Sequence, residues 1–156
     1  MPLSNSRKRV MSLSTSTFGA RILIVDDQDS NARLLELALR RGGYLAVTST
    51  TQPAEVCKLH RENRYDLILL DLQMPRMNGF DVLAALADET PVDVLILSAD
   101  PAQEARCLEA GAKGFLSKPF VLAEVLVRVA RIVAGKPVVP VPATVPPAVL
   151  ALRAVS

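Results

Sequence analysis

Asp66-Leu67-Ile68-Leu69-Leu70-Asp71-Leu72-Gln73-Met74-Pro75 decides the fold, read together with Ile22-Leu23-Ile24-Val25-Asp26-Asp27 earlier in the chain. Each stretch holds four consecutive aliphatic residues and then an acid, the pattern of a strand covered on both faces whose end reaches solvent. Strands buried on both sides belong to parallel sheets, and their carboxyl ends line the crevice where such sheets bind ligands. Asp26, Asp27 and Asp71 are therefore expected to converge. Three carboxylates in one place raise one another's pKa unless a cation joins them. A hard, oxygen-seeking divalent ion such as magnesium answers that need.

Outward from these stretches, strand and helix patterns alternate. Strands are expected at 21–25, 44–48, 66–70, 92–97 and 114–116, with a helix-sized interval after each. Asp29 or Ser30 is placed to cap the first helix, whose Leu34, Leu35, Ala38 and Leu39 share a face, and Gly42 and Gly43 end it. Pro53 suits the first turn of the second helix, Asn78 and Gly79 open the third, and Pro101 opens the fourth, which Gly111 ends. A strongly apolar fifth helix is expected over 120–133. With right-handed crossovers the helices must cover both faces, giving an α/β doubly wound five-stranded parallel sheet with five helices. In the flavodoxin-like order 2-1-3-4-5 the crevice opens between strands one and three.

Two further strand ends carry what a phosphoryl group requires. The fourth strand ends at Ser98, a hydroxyl donor, and the fifth is followed by Lys118, a compact cation. Taken singly, each is an ordinary loop residue, and Asp26-Asp27 is a helix cap with a solvated neighbour. Their common placement at the carboxyl end of the sheet is what joins them into one site.

Composition sets the outer bounds. A chain of 156 residues with 50% hydrophobic residues supplies one domain with a full core. The net charge of +2 draws on Arg7, Lys8 and Arg9 and leaves no basic face for nucleic acid. No run of 18 apolar residues occurs, so no membrane span is expected. Cys57 and Cys107 lack metal-ligand spacing and read as small buried hydrophobes in a reducing, cytoplasmic compartment. Residues 1–19 read as a disordered N-terminal extension, 20–134 as the folded domain, and 135–156, with five prolines among Val and Ala, as a tail or linker. The single histidine, His60, falls in the second helix, away from the acids.

The set Ile22 to Asp27, Asp66 to Pro75, Met77-Asn78-Gly79-Phe80, Leu97-Ser98-Ala99, Gly111-Ala112 and Lys118-Pro119-Phe120 resembles a response-regulator receiver domain, the CheY-like domain of two-component signalling. The resemblance covers residues 20–134. It implies a magnesium-dependent phosphorelay module that accepts a phosphoryl group from the phosphohistidine of a sensor histidine kinase or phosphotransfer protein. Asp71 would be the phosphoacceptor, and Ser98 and Lys118 would contact the phosphoryl oxygens. Asp27 and Asp71 would bind magnesium directly, Asp26 through water, with the backbone carbonyl of Gln73 completing the protein ligands. Ser98 and Phe115 would form the switch, altering the surface of helix four, strand five and helix five, where a downstream protein or a second copy would dock. Gln73 and Asp100 lie where side chains tune dephosphorylation. An output domain linked beyond the tail is a further expected partner.

Two other readings stay open at this stage. One is a phosphorylation-independent protein-interaction module with the same fold. The other is an aspartyl-nucleophile phosphatase, which generally needs a second acid two residues after the nucleophile, where this chain has Gln73.

Overall fold

The computed structural model describes residues 18–75, 77–89 and 91–134. Between residues 21 and 133, five strands alternate with five α-helices: β1 (Arg21–Val25), α1 (Asp29–Arg41), β2 (Ala46–Thr50), α2 (Val56–Asn63), β3 (Leu67–Asp71), α3 (Gly79–Ala87), β4 (Asp93–Ser98), α4 (Glu104–Glu109), β5 (Gly114–Ser117) and α5 (Leu122–Val133). Single 3₁₀ turns at Pro53–Glu55 and Pro101–Gln103 lead into α2 and α4. The sheet is wholly parallel in the order β2-β1-β3-β4-β5, as the alternation of sequence patterns requires.

Period-two alternation divides the core cleanly. Ile22, Ile24, Leu67, Leu69, Leu95, Leu97 and Leu116 face α1 and α5, where Leu35, Leu39, Leu122, Val125 and Val129 meet them. Leu23, Val25, Ile68, Leu70, Val94, Ile96 and Phe115 face the other way, against Val56, Val82, Leu83, Leu86 and Cys107. Every residue of β3 is buried, which explains why its sequence is aliphatic without alternation.

The sheet has two edges, β2 and β5, and β2 is the strand with the most polar sequence. The carbonyl of Thr50 accepts from the N–H of Asp26, so the carbonyl of Val47, of opposite parity, points away from the sheet. Arg40 covers that side, donating from Nη2 to the Val47 carbonyl at 2.6 Å and from Nη1 to the Leu45 carbonyl at 3.3 Å. Glu36 pairs with Arg40 and accepts from the Ser49 hydroxyl. A charged side chain laid along an edge blocks strand addition.

Several expected boundaries shift, each for a local reason. β2 begins at Ala46 instead of residue 44, because the Tyr44 N–H closes α1 by donating to the Leu39 carbonyl and the Leu45 N–H donates to the carbonyl of Phe18. Phe18, two residues before the expected boundary at residue 20, packs edge-on against Tyr44 with ring centroids 5.6 Å apart. The cap of α1 is Gln28, not Asp29 or Ser30; Asp29 is its first residue and pairs with Arg33. α5 starts at Leu122, since Phe120 sits in the core before the helix and Val121 takes the capping position. Strands three to five each run one residue further than expected, to Asp71, Ser98 and Ser117, which brings Asp71 and Ser98 inside the ladder.

Gly42 and Gly43 end α1 as expected, Gly43 at φ 109°, and Gly111 takes φ 108° after α4. Cys107 is fully buried, whereas Cys57 is only half-buried; burial pushes both thiols up, which leaves them poor nucleophiles. His60 is buried next to Tyr65, whose N–H donates to its Nδ1 at 3.1 Å, at the end of the sheet opposite Asp71. Residues 1–17 of the expected extension 1–19, and the whole expected tail 135–156, lie outside the described residues. Among the described residues, no helix is long and apolar enough to cross a membrane.

Candidate functional site

Asp26, Asp27 and Asp71 meet at the carboxyl ends of β1 and β3, and each offers a carboxylate oxygen within 4.8 Å of the others. The convergence follows from register: Val25 lies opposite Leu70, so the residues after each stand at one level of the sheet. Asp26 and Asp71 are buried at 2% and 5% exposure, and Asp27 is half-buried. Asp27 opens onto a groove of about 260 Å³ between the loops after β2 and β3, lined also by Gln52, Pro53, Met74 and Pro75. A second, smaller opening is lined by Asp26 and Lys118 with Asn31 and Phe120.

Lys118 comes to the cluster from the end of β5, with Nζ 3.4 Å from Asp71 Oδ1. Its N–H donates to the Ser98 carbonyl at 2.7 Å, which ties the end of β5 to the end of β4, and the Lys118–Pro119 peptide is cis. Against three carboxylates this single ammonium is too little. Burial, above all, pushes the Asp26 carboxyl up to about 6, with Asp71 and Asp27 adding to the rise, while the Gln28 N–H and Lys118 oppose it. Burial also raises Asp71, opposed by Lys118 and by the Gln73 N–H that donates to its Oδ1 at 3.3 Å. The buried acids are thus held at an unfavourable charge.

The oxygen-only donor set fits a hard divalent cation. Two buried carboxylates with raised pKa, a third open to the groove and one lysine leave negative charge that a cation would neutralise. A softer ion would call for the nitrogen or sulfur donors absent from this cluster.

Ser98 is fully buried at the end of β4, one step beyond the level of Asp71. It has the parity of Ile96, whose register partner on β5 is Phe115, so Ser98 and Phe115 share the α2, α3 and α4 side of the sheet. Phe115 is turned inward at 4% exposure, and Arg128 of α5 donates to its carbonyl at 3.1 Å. The Ser98 hydroxyl oxygen accepts from the N–H of Asp100 at 3.1 Å. Both carboxylate oxygens of Asp100 are engaged in the following turn, Oδ1 by the Ala102 N–H and Oδ2 by Gln103 Nε2. The Gln73 side chain is exposed at the rim.

Two contributors carry no chemical signal in the sequence. Gly79, expected only as a helix start, is pressed against the exit of β3: a Cβ there would stand 2.8 Å from Leu72 Cα and 3.2 Å from the Asp71 carbonyl oxygen. Its N–H donates to the Leu72 carbonyl, and Asn78 caps α3 through the Asp81 N–H. The second contributor is the contact of Arg106 on α4 with Phe80 on α3, the guanidinium lying 3.9 Å from the ring centroid.

A doubly wound sheet with acids, hydroxyl and lysine at four adjacent strand ends defines a class of signalling module, and the comparisons agree. The response regulator receiver domain model matches residues 22–130, and the chain belongs to that family. It is 41% identical over 120 residues to the transcriptional regulatory protein PrrA of Mycobacterium tuberculosis, covering 75% of this chain and 51% of that protein. It is 33% identical over 150 residues to the sensory/regulatory protein RpfC of Xanthomonas campestris pv. campestris, covering 92% of this chain and 20% of that protein. The chain thus spans about half the length of PrrA. Among solved structures, the receiver domain of Francisella response regulator 1452 aligns with a TM-score of 0.68 at 27% identity, over 74% of this chain and 97% of that one. Chemotaxis protein CheY4 of Vibrio cholerae aligns at 0.63 and 29%, over 71% and 98%. The chain is a receiver domain of the two-component type.

Proposed function

We propose that this receiver domain accepts a phosphoryl group on Asp71 from the phosphohistidine of a sensor histidine kinase or phosphotransfer protein, and that the resulting switch is read on the α4, β5 and α5 surface. The observation that carries this reading is the placement of Asp71: buried at a strand end, beside Lys118 at 3.4 Å, and grouped with Asp26 and Asp27 within 4.8 Å. Magnesium would be held by Asp27 and Asp71 directly, by Asp26 through water and by the Gln73 carbonyl; bound there, it neutralises the acids and the charge that develops on the phosphoryl oxygens.

The Asp71 carboxylate attacks phosphorus in line; its O–P bond forms as the N–P bond breaks, and the electron pair returns to the histidine ring. Positioning and charge stabilisation supply most of the rate in such transfers. Lys118 supplies the fixed cation from the chain itself, and the ties of Lys118 to Ser98 and of Gly79 to Leu72 hold the strand ends in place. The acyl phosphate carries about 1.5 to 2 negative charges, by analogy with other phosphorylated side chains, in place of the single charge of the Asp71 carboxylate, and spreads them over three further oxygens. Ser98 then donates its hydroxyl proton toward the phosphoryl group. Phe115, on the same face and without a hydroxyl of its own, follows the space left beneath the turn by packing alone. Gln73, exposed at the rim, is placed to set how water reaches the acyl phosphate, and Asp100, whose carboxylate is committed to the following turn, bears on it only through that turn.

The output is a changed protein surface, read by a downstream protein, a linked output domain or a second copy. PrrA is named a transcriptional regulatory protein, which supports an output domain as one such reader. Val121 on the α5 side and Leu108 on α4 are exposed apolar residues there, although most of the apolar excess of α5 is absorbed in the core. We place the protein in the cytoplasm, with no direct nucleic-acid binding by this domain.

The test is intact-mass measurement after incubation with magnesium and acetyl phosphate. The wild type gains one phosphoryl group, and Asp71→Asn gains none while keeping its far-UV spectrum. Equal labelling of the two proteins would remove Asp71 from the reaction.

A further inference from the structure

The turn after β4 is anchored at both ends. At its start, the Ser98 hydroxyl oxygen accepts from the Asp100 N–H at 3.1 Å, so hydroxyl and turn move together. In its middle, Asp100 caps the 3₁₀ turn Pro101–Gln103 through the Ala102 N–H at 3.1 Å and Gln103 Nε2 at 3.2 Å. That turn runs without a break into α4. At its far end, Arg106 of α4 lays its guanidinium 3.9 Å from the centroid of Phe80 on α3. Arg106 and Phe80 line an open groove of about 490 Å³ with Gln73 and Gln103, which leaves α4 room to move relative to α3.

We propose that Asp100, Arg106 and Phe80 are positioning residues for Ser98, a clamp that holds the Ser98 hydroxyl back from the phosphoryl group until α4 leaves Phe80. The proposal rests on the phosphoacceptor reading above and adds a specific restraint to it. Ser98 cannot approach the phosphoryl oxygens without either releasing the Asp100 N–H or carrying the turn with it. If the turn follows, its cap carries α4, and the Arg106 contact with Phe80 resists. Asp100 thereby acts through the turn, both its carboxylate oxygens being committed to it. The resistance is limited to the strength of one exposed cation–π pair, which sets the effect on the switching equilibrium at about two- to five-fold.

Beryllofluoride with magnesium is the phosphoryl mimic, and its affinity is read by calorimetry, with the amides of Ala102 and Gln103 followed by NMR. Arg106→Gln and Phe80→Leu are each expected to tighten binding about two- to five-fold, the double variant no further than either single one. Arg106→Lys, which keeps the cation, stays near the wild type. Arg106 is exposed, so its variants fold. Wild-type binding with an unchanged Arg106→Gln affinity, or additive effects of the two substitutions, overturns the clamp alone. A wild type that takes up no beryllofluoride overturns the phosphoacceptor reading and the clamp with it.

Discussion

Without a bound cation, Asp26→Asn should make the protein more stable at neutral pH and remove the Asp26 part of its pH dependence, leaving the part due to Asp71. In the folded chain the Asp26 carboxyl is pushed from its usual 3.8 up to about 6, chiefly by burial. The folded state therefore binds this proton better than the unfolded chain does. Below about pH 4 both states are protonated and the group contributes nothing. As pH rises toward 6 the folded state is progressively destabilised, and above 6 the loss is complete. A rise from 3.8 to about 6 corresponds to ~3 kcal/mol. The substituted amide keeps an oxygen for the Gln28 N–H that donates to Asp26 Oδ1 at 2.9 Å, so the change removes the charge and leaves the turn. The chain has no tryptophan, so urea unfolding is followed by far-UV ellipticity, with chelator present, from pH 4 to 8. The stability difference between variant and wild type should grow from near zero at pH 4 to a plateau of ~3 kcal/mol above pH 6. Saturating magnesium should narrow it, because the ion relieves in the wild type what the substitution relieves in the variant. A difference that is flat between pH 4 and 7, or a wild type more stable than the variant at pH 7, would refute the claim that buried, uncompensated carboxylates strain this site.

Three other perturbations have defined outcomes. Lys118→Ala removes the cation that opposes the rise at Asp71, so a carbon-13 carboxyl titration should show the Asp71 pKa moving further up; an unchanged value would mean the 3.4 Å contact has no electrostatic consequence. Gly79→Ala places a methyl 2.8 Å from Leu72 Cα, and overpacking of this kind costs about 1–3 kcal/mol, measurable by urea unfolding; a neutral substitution would show that α3 can back away from β3 freely. Arg40→Ala uncovers the outward carbonyls of β2 and should produce concentration-dependent association in sedimentation velocity, whereas a monodisperse variant at all concentrations would show that the edge needs no cover.

The parts of the site legible in the sequence were those set by strand ends. Asp26, Asp27, Asp71 and Ser98 follow buried aliphatic runs and Lys118 follows the short strand Gly114–Ser117, and in a parallel sheet the ends of such strands must lie side by side. The sheet order followed from the same alternation, since right-handed crossovers and helices on both faces leave few arrangements. Boundaries slipped where a side chain or turn chemistry competes with the ladder: Tyr44 and Leu45 are apolar enough to read as strand, yet their N–H groups close α1 and hold Phe18.

What could not be read is the set of contacts that depend on how close two elements come in space. Gly79 reads as a helix start whether or not a strand lies 2.8 Å from its absent Cβ. Asp100 reads as an acid near the phosphoryl site, but its carboxylate is turned into the 3₁₀ turn that Pro101 begins. Arg106 and Phe80 lie on different helices with 25 residues between them, and nothing in either local pattern pairs them. These contacts, local at Asp100 and distant in sequence between Arg106 and Phe80, all lie on the loops after β3 and β4 or the helices that follow them, the segments that carry Asp71 and Ser98 at their bases. Strand ends fix which groups meet, and loop packing governs how readily they shift. Which groups meet at the strand ends is therefore legible from the strands, whereas pairs such as Arg106 with Phe80 are brought together only by the folded chain.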